Sequence, residues 1–166
     1  MKKGRPSYNE ENVNFIKEVF GDRPIIVELQ EEDMMFLFYE MIDCYLSGYY
    51  LASFMLSHAF IENSLLSYYQ SKTGTSKIVF RYVDILNKSL EEDLISEEIH
   101  NKLNLFRRIR NRYAHPGVHP DYSLQYRMYH RQGDESELFR EDADEILKLI
   151  ATIFSSPPFD FVESSI

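Results

Sequence analysis

The chain has 166 residues, 44% of them hydrophobic, and a formal net charge of −9 at pH 7. This length and apolar content predict one domain spanning residues 1–166, large enough to bury a core. The acidic total excludes a general nucleic-acid coat protein, whose whole surface should be basic. Because no signal sequence follows Met1, no apolar run could span a membrane and Cys44 is the one cysteine, we expect a cytoplasmic protein with Cys44 as a small core residue.

Apolar residues at three- and four-residue steps predict a helix over about 12–20 and a second one from Glu31 to a break at Ser47-Gly48. The next stretch, about 49–71, is apolar on nearly every face. This pattern predicts a central helix that is covered by several neighbours or by another subunit.

A further helix is predicted over roughly 77–89. Ser96, followed by two glutamates, predicts the start of a helix over 97–114, and Pro116-Gly117 terminates it. Residues 117–136 should be irregular or weakly helical, and a last helix should span about 138–155. We therefore expect an all-α, up-and-down bundle of about five helices, with 1–10 and 157–166 loosely ordered.

One stretch of the chain has a positive net charge, although the chain as a whole is acidic. Residues 101–131 carry seven basic side chains and one acidic one, a net charge of +6 in a chain of −9. Four arginines fall within six positions: Arg107, Arg108, Arg110 and Arg112. His115 follows them. A local cationic cluster in an acidic protein indicates an anionic ligand, for which phosphate is the obvious candidate.

Arg110 and His115, supported by Asn111, suit metal-free RNA cleavage. A guanidinium binds two phosphoryl oxygens at once, and an imidazole transfers protons near neutrality. Positions five apart on a helix point about 140° from each other, so the two side chains converge only if His115 leaves the helix, which Pro116 favours. The alternative is that the cations merely stabilise the helix C-terminus, with His115 capping the last carbonyls.

Glu62 lies within the apolar helix 49–71. It is either an exposed glutamate on a helix edge or a buried carboxylate, which would need a cationic partner such as Arg110. His58 lies one turn before Glu62, but further metal ligands at suitable spacing are missing, and no cofactor motif is present.

The segment 119–131 alternates aromatic and basic residues. Its tyrosines could stack on unpaired bases while its arginines hold phosphate, or they could simply pack against the bundle. The residues concerned are His119, Tyr122, Tyr126, Arg127, His130 and Arg131.

Two segments resemble the HEPN superfamily of helical domains, and most closely its mannitol operon repressor-like branch: Leu94–Glu98 and Leu103–His115. The superfamily's signature is an arginine, usually followed by a polar residue, with a histidine four to six positions further on. Arg110, Asn111 and His115 match it with four intervening residues. Phe60-Ile61-Glu62 is similar to the family's glutamate on an earlier core helix. The resemblance covers about 45–117.

This resemblance implies a helical bundle that forms a homodimer, with two Arg/His motifs in a shared basic cleft and no cofactor. Many members are metal-independent endoribonucleases, often toxins of toxin–antitoxin or phage-defence systems. Others are non-catalytic regulators that bind nucleic acid or a partner protein, so a possible antitoxin or other protein partner is implied as well. Several active members carry a tyrosine two positions after the histidine, where this chain has Gly117.

Under the endoribonuclease hypothesis, Arg110 stabilises the phosphorane charge, His115 is the general acid/base, and Asn111 and Glu62 orient them. The remaining candidates would contact the substrate: Arg107, Arg108, Arg112, Tyr113, His119 and Arg127.

Overall fold

The structure is a computed structural model that describes residues 8–21, 32–74, 81–115, 124–131 and 134–155. All regular secondary structure in these ranges is helical, which confirms the all-α prediction. The seven helices are α1 (Glu10–Phe20), α2 (Glu32–Leu46), α3 (Tyr50–Thr73), α4 (Tyr82–Glu91), α5 (Glu97–Ala114), α6 (Leu124–Arg131) and α7 (Glu135–Phe154). The described part of the chain thus holds seven helices where about five were predicted. One of them, α6, lies in the stretch expected to be irregular or weakly helical.

Side chains at the helix N-termini explain where three of the helices begin. Asn9 accepts a hydrogen bond from the backbone of Glu11 at 2.9 Å, and Ser96 accepts one from the backbone of Ile99 at 3.3 Å. Asp134 and Glu137 form a reciprocal capping box at the start of α7. Each contact satisfies a backbone N–H that has no partner inside the helix. The capping box also explains why α7 begins a few residues before the predicted position.

Two short turns determine how α3 and α5 enter the bundle. Gly48 has φ +80, a conformation that favours glycine, and it separates α2 from α3 as predicted. After α4, Asp93 takes φ 54, and the Leu94 N–H bonds the Ser89 carbonyl at 2.8 Å. This is a Schellman motif, which ends α4 and places Ser96 to begin α5.

The central helix of the bundle is α3, which packs against α2, α4, α5 and α7. Four of its large apolar side chains are fully buried: Phe54, Phe60, Ile61 and Leu65. Its apolar surface is therefore covered by helices of the same chain, one of the two explanations that the sequence left open.

Cys44, expected in the core, is only partly buried, and burial together with the nearby Glu40 raises the pKa of its thiol.

None of the described helices is long and apolar enough to cross a bilayer.

Candidate functional site

The C-terminal end of α5 carries most of the predicted site residues. The helix ends at Ala114, and His115 follows with φ −135 and ψ 68, outside the helical region. Its backbone N–H still bonds the Asn111 carbonyl at 2.9 Å, while its side chain is exposed. The residue before a proline avoids the α-conformation, so the end of α5 falls where the sequence predicts.

Arg110 and Asn111 contact each other at this end. The Arg110 Nη1 atom donates a hydrogen bond to Asn111 Oδ1 at 3.3 Å. The Arg110 Nε atom is buried and has no hydrogen-bond partner in the described part of the protein. Among the described residues, one long hydrogen bond thus holds the guanidinium, which has further N–H groups that could bind a ligand.

The three neighbouring arginines differ from one another. Arg107 donates from Nε and Nη2 to Asn104 Oδ1 at 3.0 and 2.9 Å. Arg108 is exposed, and Arg112 is partly buried with an unpartnered Nε atom. Since four arginines lie within two turns of α5, the end of the helix is a concentrated source of positive charge.

Glu62 is half-buried on α3, between the two states that the sequence left open. Burial raises the pKa of the Glu62 carboxyl, and the positive charge of Arg110 opposes that rise. Arg110 thus acts on Glu62 through its charge, although no ion pair within 4.0 Å joins these two side chains. The Glu62 carboxylate therefore lies within electrostatic range of the arginine but not in direct contact with it.

His58 lies one turn before Glu62 and is only 2% exposed. Its ring packs edge-on against Phe54 and Tyr82, with centroid separations of 5.0 and 5.8 Å. Burial lowers the pKa of His58 to about 3, and the charge of Arg110 acts in the same direction. The Phe106 carbonyl faces the ring and opposes this lowering of the pKa, but it lies outside hydrogen-bond geometry. His58 is therefore a neutral imidazole at physiological pH.

Tyr82 begins α4 and closes this region from a third helix. Its side chain is buried, and its hydroxyl has no hydrogen-bond partner within the described ranges. Burial raises the pKa of Tyr82, the charge of Glu62 adds to the rise, and Arg107 and Arg110 oppose it. The charge of Arg110 thus acts on Glu62 and His58 of α3 and on Tyr82 of α4.

Arg127 and Tyr113, both predicted to bind substrate, are engaged elsewhere. The Arg127 guanidinium donates to both Asp142 oxygens at 2.6 and 2.5 Å, and Tyr113 donates to the same carboxylate at 2.5 Å. Arg127 and Asp142 are 8% and 4% exposed. Since a substrate contact would require this buried ion pair to open, we leave Arg127 and Tyr113 out of the site.

In the segment 119–131, which alternates aromatic and basic residues, some described side chains are buried and others are exposed. Arg127 packs inward, whereas Tyr129 is 82% exposed and Tyr126 is 50% exposed. The ring of His130 lies 4.2 Å from that of Tyr126 and 5.4 Å from that of Tyr129, measured between centroids. The described tyrosines therefore do not all pack against the bundle, one of the two alternatives that the sequence left open.

Arg107, Arg108, Arg110, Asn111, Arg112 and His115 thus all lie at the C-terminal end of α5, where Arg110 contacts Asn111. His119 lies outside the described residues, as do Pro116, Gly117 and Tyr122. Sequence reasoning did not predict roles for Tyr82 and Asp142. It weighed His58 only as a metal ligand, and in the described ranges no cluster of three or more His, Cys, Asp or Glu side chains could hold a metal ion.

Comparisons with known proteins do not identify the chain: no family model matches it, and neither the curated proteins nor the solved structures contain a significant match.

Proposed function

We propose that the protein is a metal-independent endoribonuclease of the HEPN type. The observation that carries this proposal is the end of α5, where Arg110 is held beside Asn111 and His115 leaves the helix with an exposed side chain. Six polar or basic side chains at one helix end fit a phosphodiester better than a neutral ligand.

In the proposed reaction, the 2′-hydroxyl of a ribose attacks the adjacent phosphorus. A base removes the hydroxyl proton, the bond from phosphorus to the 5′-oxygen breaks, and an acid protonates that oxygen. The products are a 2′,3′-cyclic phosphate and a 5′-hydroxyl. Arg110 stabilises the negative charge on the equatorial phosphoryl oxygens, and His115 serves as acid or base.

Two subunits would provide a complete set of groups. The reaction needs one base and one acid, whereas His115 is the one histidine that the structure describes at this end of α5. A homodimer that joins two α5 ends would supply two imidazoles to one phosphate. Such a cleft would also bring Arg108 and Arg112 of both copies to the flanking phosphates. A role as a toxin or phage-defence component, with an antitoxin or other partner protein, belongs to the same proposal.

The test is cleavage of a set of single-stranded RNAs by the purified protein in EDTA. We expect the wild type to produce 2′,3′-cyclic phosphate ends. His115→Ala should lower the rate by about 10²–10⁴-fold, because proton transfer in the transition state is lost. Since His115 is exposed, circular dichroism and the dimer should be unchanged. Expression of the wild type, but not of His115→Ala, should arrest growth if the protein is a toxin.

His100→Ala is a suitable control. His100 is also on α5, but near the other end of the helix, where its Nε2 atom lies 3.0 Å from Asn87 Oδ1. The His100→Ala variant should cleave RNA at the wild-type rate. A wild-type protein that leaves all the RNAs intact at stoichiometric concentration would contradict the proposal. RNA or partner binding without turnover, kept in His115→Ala and lost in Arg110→Glu, would instead indicate a non-catalytic regulator similar to the mannitol operon repressor.

A further inference from the structure

The short helix α6 presents three aromatic rings at the surface of the protein. Tyr129 is 82% exposed, Tyr126 is 50% exposed, and His130 is exposed as well. The centroid of the His130 ring lies 4.2 Å from that of Tyr126 and 5.4 Å from that of Tyr129, so these rings form one ring cluster. Single exposed aromatics are common on protein surfaces, whereas a group of adjoining exposed rings indicates an interaction surface.

The ring cluster occupies one side of α6, and the helix is fixed to the bundle from another side. Successive helical residues are about 100° apart, so the three rings fall within an arc of about 100°. Arg127 lies outside this arc, is buried, and bonds both oxygens of Asp142 on α7. The ion pair thus holds α6 in place while the rings remain exposed to solvent.

The same arginine brings α6 to the basic end of α5. The Arg127 Nη1 atom donates to the Tyr113 hydroxyl at 2.5 Å, and Tyr113 belongs to the last turn of α5. Arg112 precedes Tyr113 in the chain, and the exposed Arg108 lies one turn before Arg112. A strand whose phosphates bind the arginines of α5 therefore has the ring cluster on the adjacent helix.

The charge of this region fits a nucleic acid. The sequence of α6 contains two arginines and no acidic residue. Another exposed aromatic, Phe36, is 63% exposed on α2, a helix with four acidic residues and no lysine or arginine. Because Asp142 neutralises Arg127, the charge that meets the phosphates is that of the arginines at the end of α5. Surfaces that bind single-stranded RNA combine such positive charge with aromatic side chains on which bases stack.

We propose that the ring cluster stacks on an unpaired base of a single-stranded RNA whose phosphates bind the arginines of α5. The inference rests on the proposed function in taking RNA as the ligand, and it adds a selection for strands that are unpaired beside the bound phosphates. A base within a duplex is already stacked and paired, so duplex RNA offers no base to these rings.

The experiment measures the Kd of a 2′-O-methyl RNA strand of about ten nucleotides by fluorescence anisotropy. This strand cannot be cleaved through its 2′-hydroxyl groups. A second strand with the same number of phosphates but no bases serves for comparison. Tyr129→Ala should weaken binding of the first strand about tenfold and leave binding of the abasic strand unchanged, because a stacking contact is lost and no charge is removed. The same strand annealed to its complement should bind the wild type and Tyr129→Ala equally.

Two further substitutions at the ring cluster refine this measurement. Tyr129→Phe keeps the ring and should bind the base-containing strand like the wild type. His130→Ala removes the ring that adjoins both tyrosines, so it should weaken binding of that strand and not of the abasic strand. Because both positions are exposed, the melting temperatures of these variants should equal that of the wild type.

Matched controls separate stacking from charge. Arg108→Ala removes an exposed positive charge from α5, so it should weaken both strands and reduce the slope of log Kd against log salt by about 1. Tyr129→Ala should leave that slope unchanged. Phe36→Ala removes an equally prominent ring from the acidic helix α2 and should alter neither the Kd nor the slope.

Three results would overturn the inference. In the first, the base-containing strand binds the wild type and Tyr129→Ala equally or binds neither. In the second, Tyr129→Ala weakens the abasic strand as much as the strand with bases. In the third, it weakens an oligoglutamate peptide as much as the RNA, which would indicate a surface for an acidic protein. A wild type that shows the expected binding but cuts no ordinary RNA would refute the proposed function alone. Cleavage by a wild type whose RNA binding does not depend on Tyr129 would refute this inference alone.

Discussion

Two groups of polar side chains, one around Arg127 and one around Arg110, each include a residue of α5 and differ in one respect. In the first, Arg127 meets both oxygens of Asp142, and Tyr113 donates to the same carboxylate. In the second, Arg110 lies near Glu62, His58 and Tyr82, and several polar atoms have no partner within the described residues. In the cluster around Arg127 the charged groups bond each other. In the cluster around Arg110, hydrogen-bonding groups have no partner among the described residues and could bind a ligand.

This difference separates a structural role from a functional one better than charge or residue type does. A closed ion pair can be buried because each charge is fully matched, and it then holds α6 against α7. Unmatched groups cost stability, and native proteins keep them mainly where a ligand, a water or a reaction uses them. By this criterion we assign Arg110 to the proposed site and Arg127 to the framework.

The largest expected effect is on catalysis. Arg110→Lys keeps the positive charge but loses the planar pair of donors. We expect the cleavage rate to fall by about 10²–10³-fold, as when one donor to a transition-state oxyanion is removed. The melting temperature should stay near that of the wild type, because Arg110 forms no ion pair with a described residue. A rate within twofold of the wild type would remove Arg110 from the proposed mechanism.

The next effect is on stability and concerns the closed cluster. Asp142→Asn keeps the shape of the side chain but leaves the buried Arg127 without a counter-charge. The free energy of unfolding, measured by urea denaturation, should fall by about 3–5 kcal/mol. The cleavage rate per folded molecule should be unchanged. A variant that remains as stable as the wild type, yet loses cleavage, would reverse the roles assigned to the two clusters.

A smaller effect appears in the pH dependence of stability. The pKa of His58 is about 3 in the folded protein, whereas the ordinary value for a histidine is 6.5. Because the folded value is lower, the unfolded chain takes up a proton below pH 6.5 while the folded state does not, so the free energy of unfolding falls as the pH falls.

Between pH 7.5 and 5.5 the wild type should lose about 1 kcal/mol more than His58→Phe, which has no group to protonate. Urea denaturation at both pH values measures the difference. Equal losses in the two proteins would mean that His58 is protonated in the fold, in conflict with its burial next to Arg110.

The smallest effect is expected at an exposed ion pair on the same helix. Lys102 and Glu98 are 2.7 Å apart on α5, but both side chains are solvated. Lys102→Ala should leave the melting temperature and the cleavage rate within error of the wild type, since exposed pairs contribute little. A large loss of stability would show that solvent exposure does not distinguish this pair from Arg127–Asp142.

The sequence alone determined the local features of this protein. Apolar periodicity located α1, α2, α3 and α7, because a helix buries a stripe whose spacing is written in consecutive residues. Ser96 and Pro116 bounded α5, because the groups that begin and stop a helix are its immediate neighbours in the chain. The basic end of α5 was therefore predictable in position and in charge.

Only the tertiary structure decided which polar residues meet. Arg127 resembled a solvent-facing phosphate ligand until α7 placed Asp142 against it, and His58 and Tyr82 became neighbours only when α3 and α4 packed together. The short helix α6 belongs to the same class, since eight residues are too few to be stable alone and depend on contacts such as Arg127–Asp142. Helix propensity acts over a few residues of one segment. The partner of a buried charge is determined by packing between segments, and this packing separates the closed cluster at Arg127 from the open one at Arg110.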